Sequence, residues 1–307
     1  MTLTEHAASY VAIQQATGLS FADQARLLTS YAIHAEAQGD VFIQSATVLD
    51  WASQASSPHQ RIVRLRVVRG FAKYLHAEDE RHDVPHPDAM GRRTRHRPAP
   101  HLLSTDQIRQ IMAAALELPA VSSTTPHAIH TLIGLLAATG MRRSEATSLR
   151  IRDLTEDGIK VRNTKSATSR LLPLHPSVKC ALDAWLGIRG PGAPDDPLFI
   201  LSSGRPVCPE YLTNTFIKLA RNLGLRGGPG TPGPRLHDLR HSFAATALAR
   251  VTAGDRGDIS RHMLALSTWM GHARLVDTYY YLEATPVLLN RISAATEALH
   301  SRRRNDD

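Results

Sequence analysis

Four short clusters of polar residues stand at the ends of apolar segments or in loops of this 307-residue chain, and their side chains can bind or attack a charged group. The first cluster, residues 139–145, follows an apolar segment that ends at a glycine. It places Arg142 and Glu145 three residues apart, on one face of a predicted helix. A guanidinium there can bind a phosphate through two parallel hydrogen bonds. Taken alone, the pair could also be a surface ion pair of little energetic value.

The second and third clusters add a lysine, a histidine and another arginine. Lys165 lies at the tip of a predicted β-hairpin, where a lone lysine is usually no more than a solvated side chain. Residues 237–241 read His-Asp-Leu-Arg-His and open a predicted helix behind a Gly/Pro loop, which puts His237 and Arg240 about one turn apart. The His-x-x-Arg spacing alone is a weak signal, and its position at a helix start gives it weight.

The fourth cluster joins a Gly-His pair at residues 271–272 to three adjacent tyrosines at 279–281. A tyrosine hydroxyl has a pKa of about 10, so at neutral pH it becomes a good nucleophile only beside a cation or a general base. One of the three tyrosines could attack a phosphate. An aromatic packing cluster is the alternative, and we favour it for the other two.

The charge balance indicates a polyanionic partner. The formal net charge is +8, the pI is about 9.9, and 31 of the 36 basic residues are arginine, although a GC-rich genome would also favour Arg codons. Two stretches could follow a phosphate backbone, one on a predicted helix face and one in a predicted linker. Their basic residues are Arg66, Arg69 and Lys73 in the first and Arg92, Arg93, Arg95 and Arg97 in the second. An ordinary solvated surface is the alternative for each stretch.

The pattern of apolar residues predicts a mainly α-helical protein with a small β-sheet (α+β), in two domains. We expect a helical domain at 1–80, a basic proline-rich linker at 81–101 and a second domain at 102–307. In the first domain we predict a helix capped by Ser20, and an apolar face on the third helix. The predicted helices of this domain are 22–38, 46–55 and 58–77, and that apolar face consists of Val63, Val67, Phe71 and Tyr74.

The second domain is predicted to begin with a capping box, Ser104 and Gln107, ahead of an apolar helical stripe. An apolar, buried helix over 127–139 should end at Gly140. Two short strands at 158–164 and 170–174 follow a tight turn at residues 157–158. The remaining predicted helices are 176–188, 209–223, 237–250, 259–270 and 286–300.

Several other classes of protein are disfavoured by the sequence. No stretch approaches the roughly 18 consecutive apolar residues of a membrane span, and no secretory signal is visible. The two cysteines, Cys180 and Cys208, form no CxxC pair, which argues against a zinc site or a disulfide scaffold and favours a reducing cytosol. The sequence shows no phosphate-binding P-loop, no HExxH and no two-metal carboxylate cluster, so we expect neither a metal nor a cofactor.

Taken in order, the four clusters resemble the catalytic domain of the tyrosine recombinases, also called the phage integrase family. The resemblance consists of T-G-x-R-x-S-E, a hairpin lysine before L-P-L, H-D-L-R-H-S, and G-H with a tyrosine nine residues further on. It covers about residues 104–290, with a longer stretch at 252–265 that should change only a loop. The run T-Y-Y-Y-L-E-A-T-P is most similar to integrase-like recombinases carried by transposons. Residues 1–80 are similar to the family's helical core-binding domain in architecture, without a motif.

The resemblance implies a role for each residue, and no member of the family's set is missing. It implies two arginines on the scissile phosphate, an acid that supports the first of them, a hairpin lysine, two phosphate-site histidines and a nucleophile. These are, in that order, Arg142 and Arg240, Glu145, Lys165, His237 and His272, and Tyr281. Lys165 would protonate the leaving oxygen as a general acid.

The implied function is site-specific DNA recombination, the integration or excision of a mobile element, through a covalent 3′-phosphotyrosine and without ATP or metal. A type IB topoisomerase-like enzyme, which nicks and relaxes DNA with the same residues, is the alternative. A plain DNA-binding regulator on a dead catalytic domain is disfavoured because the whole set is present. The implied partners are double-stranded DNA, further copies of the chain in a synaptic homotetramer that associates weakly without DNA, and accessory or sister recombinases. We expect no membrane and a bacterial cytoplasmic location, on the nucleoid when DNA is bound.

Overall fold

The computed structural model describes residues 1–18, 21–91, 100–162, 169–249 and 256–271. The chain divides into two compact units, Met1–Arg97 and Pro98–Asp307. The boundary between them falls within the predicted linker at 81–101, while the assignment of 1–80 as a DNA-clamping domain stays a prediction. Some residues singled out in the sequence lie outside the described ranges: Ser20, Arg92, Arg93, Arg95, Arg97, Lys165, His272, Tyr281 and the predicted helix 286–300.

In its described part, the first unit consists of helices with short connections. They are α1 (Leu3–Ala16), α2 (Ala22–Ala37), α3 (Ser45–Ser53) and α4 (Pro58–His76). The sequence predicted α2, α3 and α4 to within a residue or two. It did not resolve α1, although Thr2 and Glu5 form a capping box whose two hydrogen bonds mark its start. The capping signal was therefore present in the sequence, while the apolar face of α1 buries only Leu3 and Ala7.

Helix α4 packs against both α2 and α3, so its buried face is turned slightly from the predicted one. Of the predicted residues, only Phe71 is fully buried. Val67 and Tyr74 flank the core, and Val63 is half-buried. The buried face consists of Leu65, Val68, Phe71, Ala72 and Leu75.

The second unit begins with α5, whose predicted capping box is present: the Ser104 Oγ accepts from the Gln107 N–H at 3.1 Å, and the Gln107 side chain accepts from the Ser104 N–H at 3.0 Å. Its helices are α5 (Thr105–Leu116), α6 (Thr124–Thr139), α7 (Arg143–Thr147), α8 (Pro176–Arg189), α9 (Pro209–Asn222), α10 (Asp238–Ala249) and α11 (Arg256–Met270). Its strands are β1 (Leu154–Thr155), β2 (Gly158–Val161) and β3 (Arg170–Leu172). The predicted α+β class is confirmed.

The strands form a small antiparallel sheet in the order β1-β2-β3. The predicted hairpin is β2–β3, with Val161 opposite Arg170. Lys165 stands between these strands in the sequence, outside the described residues. The turn expected at residues 157–158 lies one residue earlier: Glu156 and Asp157 connect β2 to β1, a strand too short to show an alternating pattern.

Helix α6 runs through the centre of the second unit and is buried on nearly every side, as its apolar sequence predicted. It ends at Gly140, whose φ of +64° is left-handed and favours glycine. A Cβ at this position would lie 2.5 Å from Cδ1 of Phe243 in α10 and 3.0 Å from Sδ of Met270 in α11. The absence of a side chain therefore lets three helices meet at one point, where the site is built.

Candidate active site

Arg142 and Glu145 lie at the start of α7, directly after the end of α6. Arg142 is the residue before the helix, and its side chain is 26% exposed. Its backbone N–H donates to Glu145 Oε2 at 3.0 Å, and its Nη1 donates to Oε1 at 2.8 Å. Glu145 itself is only 6% exposed. The pair that the sequence placed on one face is therefore a partly buried ion pair, which holds Arg142 with one edge toward solvent.

Arg170, which the sequence analysis did not assign to the site, is the second partner of Glu145. Its Nη2 donates to Oε2 at 2.7 Å and its Nη1 to Oε1 at 3.2 Å, while its Nε donates to the Trp269 carbonyl at 2.8 Å. The side chain is 11% exposed. The available signal was period-two alternation: Arg170 shares the inward face of β3 with the buried Leu172, and an inward arginine requires a partner.

Arg240 approaches the same place from α10, with only 3% of the residue exposed. Its Nη1 donates to the carbonyl of Gly140 at 2.6 Å, and its Nη2 donates to the carbonyl of Met270 at 2.7 Å. One guanidinium thus joins the end of α6 to the end of α11. Arg142 belongs to this arrangement as well, because its Nη2 donates to the carbonyl of Gly271 at 2.7 Å.

The C-terminal end of α11 therefore accepts hydrogen bonds from three arginines on three different elements. The carbonyls of Trp269, Met270 and Gly271 bind Arg170, Arg240 and Arg142 respectively. Carbonyls at a helix C-terminus lack partners within the helix and carry the negative end of its dipole, so they attract cations. The next residue in the sequence is His272, and the predicted nucleophile Tyr281 follows nine residues later.

The carboxyl of Glu145 stays ionised in this setting. Its burial raises the pKa, and hydrogen bonds from Arg170 and Arg142 outweigh that effect, so that the net pKa lies below its usual value. The described charges at this point are three guanidiniums and one carboxylate. The site is consequently electropositive, as a phosphate-binding site requires.

His237 precedes α10 and stands beside the buried His241, with ring centroids 4.7 Å apart and the rings nearly perpendicular. Neighbouring protein atoms displace water from one side of its imidazole, and His241 and Arg240 add positive charge. Together these lower the pKa of His237 to about 4, although the residue as a whole is exposed to solvent. The imidazole is therefore neutral at pH 7 and can donate one hydrogen bond and accept one proton.

Asp238 fixes the first turn of α10. Its side chain is fully buried, and it accepts hydrogen bonds from the backbone N–H of Arg235 at 2.7 Å and from Nη2 of Arg235 at 3.2 Å. One turn on, the Ser242 Oγ donates to the Asp238 carbonyl and accepts from the Leu103 N–H, both at 2.8 Å. The Asp and Ser of the H-D-L-R-H-S motif thus anchor the helix, while its Arg reaches the ends of α6 and α11.

The basic helix face proposed for DNA belongs to the first unit and is only partly available. Arg66 and Lys73 are exposed on α4. Arg69 is half-buried, because its Nε donates to the Pro85 carbonyl at 3.0 Å and so holds the segment that follows the helix. Arg66 and Lys73 are thus the better candidates for phosphate contacts.

Within the described ranges, no three His, Cys, Asp or Glu side chains are grouped so that they could hold a metal ion. Among the helices of those ranges, none has both the length and the apolar composition that a membrane span requires.

Comparison with known proteins shows the family of this chain. The model of the phage integrase family matches residues 101–286, which contain the three arginines at the end of α11, Glu145 and His237. The chain belongs to the phage integrase family. This phage integrase is 32% identical to the "Putative integrase/recombinase y4rB" of Sinorhizobium fredii, over 94% of this chain and 95% of that protein. It is 30% identical to the tyrosine recombinase XerC of Pseudomonas syringae pv. tomato, over 74% of this chain and 70% of XerC.

The fold agrees with this family. The structure of the Tn1549 transposon integrase in complex with transposon right end DNA is similar with a TM-score of 0.65, at 18% identity, over 98% of this chain and 100% of that one. The chain is a tyrosine-type site-specific recombinase, as the four sequence clusters implied. None of these comparisons favours the topoisomerase alternative.

Proposed function

We propose that this recombinase cuts and rejoins DNA through a covalent 3′-phosphotyrosine on Tyr281, and that it thereby integrates or excises a mobile element. The observation that carries the proposal is the convergence of Arg142 and Arg240. They come from distant parts of the chain, and their guanidiniums bind neighbouring carbonyls at the end of α11. Tyr281 lies ten residues beyond Gly271 in the sequence, which supports its assignment as the nucleophile for a phosphate held by these arginines.

The arginines supply the electrostatic part of the reaction. A phosphodiester carries one negative charge, and nucleophilic attack builds up further charge on its non-bridging oxygens. Donors that are already in place stabilise this charge without reorganising, and the loss of one such donor typically costs about 2.7–4 kcal/mol of transition-state stabilisation. The hydrogen bonds of Arg142 and Arg240 to protein groups provide that preorganisation.

The remaining groups move the protons. The Tyr281 oxygen forms a bond to phosphorus, and the bond from phosphorus to the 5′ oxygen breaks. The departing oxygen takes a proton from Lys165, and the tyrosine proton passes to a general base, a role that the neutral imidazole of His237 suits. His272 would donate a hydrogen bond to the phosphate. Attack by the 5′-hydroxyl of a second strand reverses the steps and releases the enzyme.

The proposed partners are double-stranded DNA and further copies of the chain, assembled as a homotetramer on two paired sites. The family's reaction exchanges strands between two duplexes, and each duplex requires two cleavages. The proposed location is the cytoplasm of a bacterium, with the chain on the nucleoid when DNA is bound.

Substitution of the nucleophile tests this function directly. We expect Tyr281→Phe to abolish covalent adducts on a nicked suicide duplex and to leave duplex affinity within about twofold, because one hydroxyl adds little to many phosphate contacts. The adduct is measured as a band of retarded mobility on a denaturing gel. A matched assay with supercoiled plasmid and with paired recombination sites separates strand exchange from simple relaxation.

The neighbouring tyrosines provide the matched controls. Tyr279→Phe and Tyr280→Phe should retain adduct formation, because adjacent residues of a helical turn point about 100° apart and near-attack geometry is strict. An adduct trapped by Tyr281→Phe, or the loss of all adducts in Tyr280→Phe alone, would show that another tyrosine is the nucleophile.

A further inference from the structure

Glu145 has two arginine partners, and the one outside the family motif has the better geometry. Arg170 donates one Nη to each carboxylate oxygen, at 3.2 and 2.7 Å. The side chain of Arg142 reaches Oε1 alone, at 2.8 Å. A planar fork that meets both oxygens is the strongest and most directional arrangement of an arginine and a carboxylate. Arg170, rather than Arg142, therefore provides the main neutralisation of Glu145.

This division of partners matters for the charge that the site presents. If Arg142 were the sole partner of the buried carboxylate, the two charges would cancel, and Arg142 would attract a phosphate weakly. With Arg170 present, the group of two guanidiniums and one carboxylate keeps a net charge of +1. A guanidinium offers five N–H donors, and Arg142 uses two of them in the bonds to Glu145 and Gly271 described above. Those two bonds therefore leave it further donors for a phosphate.

Arg170 also reaches the helix end that carries the other arginines. Its Nε donates to the carbonyl of Trp269 at 2.8 Å, next to the carbonyls that bind Arg240 and Arg142. The indole Nε1 of Trp269 in turn donates to the carbonyl of Thr139, at the end of α6, at 2.8 Å. Arg170 thus connects the β-hairpin that bears Lys165, the acid on α7 and the end of α11.

We propose that Arg170 is a positioning residue of the cleavage site, which binds Glu145 and the Trp269 carbonyl so that Arg142 stays oriented and keeps its charge for the scissile phosphate. Arg170 is largely buried and acts through these groups rather than on the DNA. The inference rests on the proposed function, since it concerns the same cleavage step.

The first test is Arg170→Gln, assayed on the nicked suicide duplex under single-turnover conditions. A displacement of about 1 Å at a reacting group typically costs about a hundredfold in rate, so we expect cleavage to fall by about 10- to 100-fold. Duplex affinity should stay within about threefold, because the residue does not contact phosphates. Arg170→Lys, which keeps the charge and loses the fork, should recover part of the rate.

The pH profile separates positioning from a merely structural role. In the variant, the burial of Glu145 persists while the hydrogen bonds from Arg170 are gone, so the pKa of Glu145 should rise relative to the wild-type protein. The ratio of variant to wild-type rate should then rise as the pH is lowered, because the variant carboxyl becomes neutral before the wild-type carboxyl does. The double variant Arg170→Gln/Glu145→Gln removes the uncompensated carboxylate and should cleave several-fold faster than Arg170→Gln.

Arg162→Gln is the matched control for stability. Arg162 follows β2 on the same hairpin, and it pairs through Nε with the buried Asp153 rather than with Glu145. Both variants remove an arginine from a buried carboxylate, so both should lower the unfolding temperature. Only Arg170→Gln should slow cleavage in the protein that remains folded.

Three results would overturn the assignment. The first is cleavage at the wild-type rate by folded Arg170→Gln. The second is an equal loss of cleavage rate in Arg170→Gln and Arg162→Gln, and the third is a double variant that cleaves no faster than Arg170→Gln. These failures are distinct from failure of the proposed function. If the wild-type protein formed no adduct, that function would be wrong, whereas an adduct formed equally by wild type and Arg170→Gln would refute only the role of Arg170.

Discussion

Single residues at the end of α11 decide whether the arginines of this recombinase can converge. Gly271 has a φ of +63°, and a Cβ there would lie 2.6 Å from Nη1 of Arg170. Its carbonyl binds Arg142. The glycine of the Gly-His pair is therefore required twice, once for its backbone conformation and once for the space that a guanidinium occupies.

The substitution Gly271→Ala tests this requirement at the residue scale. A left-handed alanine costs about 1–2 kcal/mol, and displacement of Arg170 should add to that and slow cleavage. Gly39→Ala is the matched control, because Gly39 also follows the end of a helix, α2, with a positive φ, +83°, and nothing lies within 4 Å of its Cβ position. The loss of unfolding free energy is measured for both variants by denaturant unfolding. The difference between the two losses gives the cost of displacing Arg170. Equal losses of unfolding free energy, with normal cleavage by Gly271→Ala, would contradict this reading.

At the scale of elements, the site is built where helix ends meet. The ends of α6 and α11 contribute backbone carbonyls, and the start of α7 contributes the ion pair of Arg142 and Glu145. Strand β3 and helix α10 each contribute an arginine. Helix ends suit this purpose because their unpaired carbonyls attract guanidiniums and their side chains point past the helix. No single element carries a complete phosphate site, so cleavage depends on the docking of α11.

The last predicted helix, 286–300, is an element whose role can be tested by deletion. It follows the nucleophile segment and offers an apolar stripe: Leu288, Leu289, Ile292, Ala295 and Leu299. A chain that ends at Thr285 should bind a single site almost normally. It should form the two-site complex at least tenfold less well, because the apolar stripe is removed and buried apolar surface stabilises a contact by about 25 cal/mol per Å². Native gels with one and two sites measure both, and a chain that ends at His300 controls for the basic tail. Normal pairing by the shorter chain would exclude this helix as a contact between copies of the chain in the two-site complex.

At the scale of the whole molecule, the excess of positive charge should govern binding to DNA. The net charge is +8, and basic residues occur in both units. Each phosphate neutralised on B-DNA releases counterions and steepens the dependence of affinity on salt by about 0.9 in a log-log plot. A steep slope is therefore expected for the intact chain.

The double variant Arg66→Ala/Lys73→Ala tests whether α4 contributes to that slope. Both side chains are exposed, so their loss should reduce the slope by about 2 and leave the unfolding free energy unchanged within about 0.5 kcal/mol. Arg69→Ala is the contrasting variant, because it removes the hydrogen bond to the Pro85 carbonyl and should lower stability more than it lowers the slope. Titrations at several salt concentrations measure the slope. An unchanged slope in the double variant would place the phosphate contacts elsewhere.

The sequence alone determined much of this protein, because its strongest signals are local. Capping boxes, apolar periodicity and glycine stops located most helices, and the order of the four polar clusters, from residues 139–145 to the tyrosine at 281, identified the family. A short strand such as β1 has too few residues for a pattern, and the apolar face of α4 depends on which helices cover it.

Only the tertiary structure brought Arg170 and the α11 carbonyls together with the predicted site residues. Backbone carbonyls are present at every position, so no residue type marks those of Trp269, Met270 and Gly271 as ligands. Arg170 lies 25 positions from Glu145, and their contact exists because β3 folds back beside α7. Contacts between residues distant in the chain depend on packing, and packing is the information that a single sequence carries least directly.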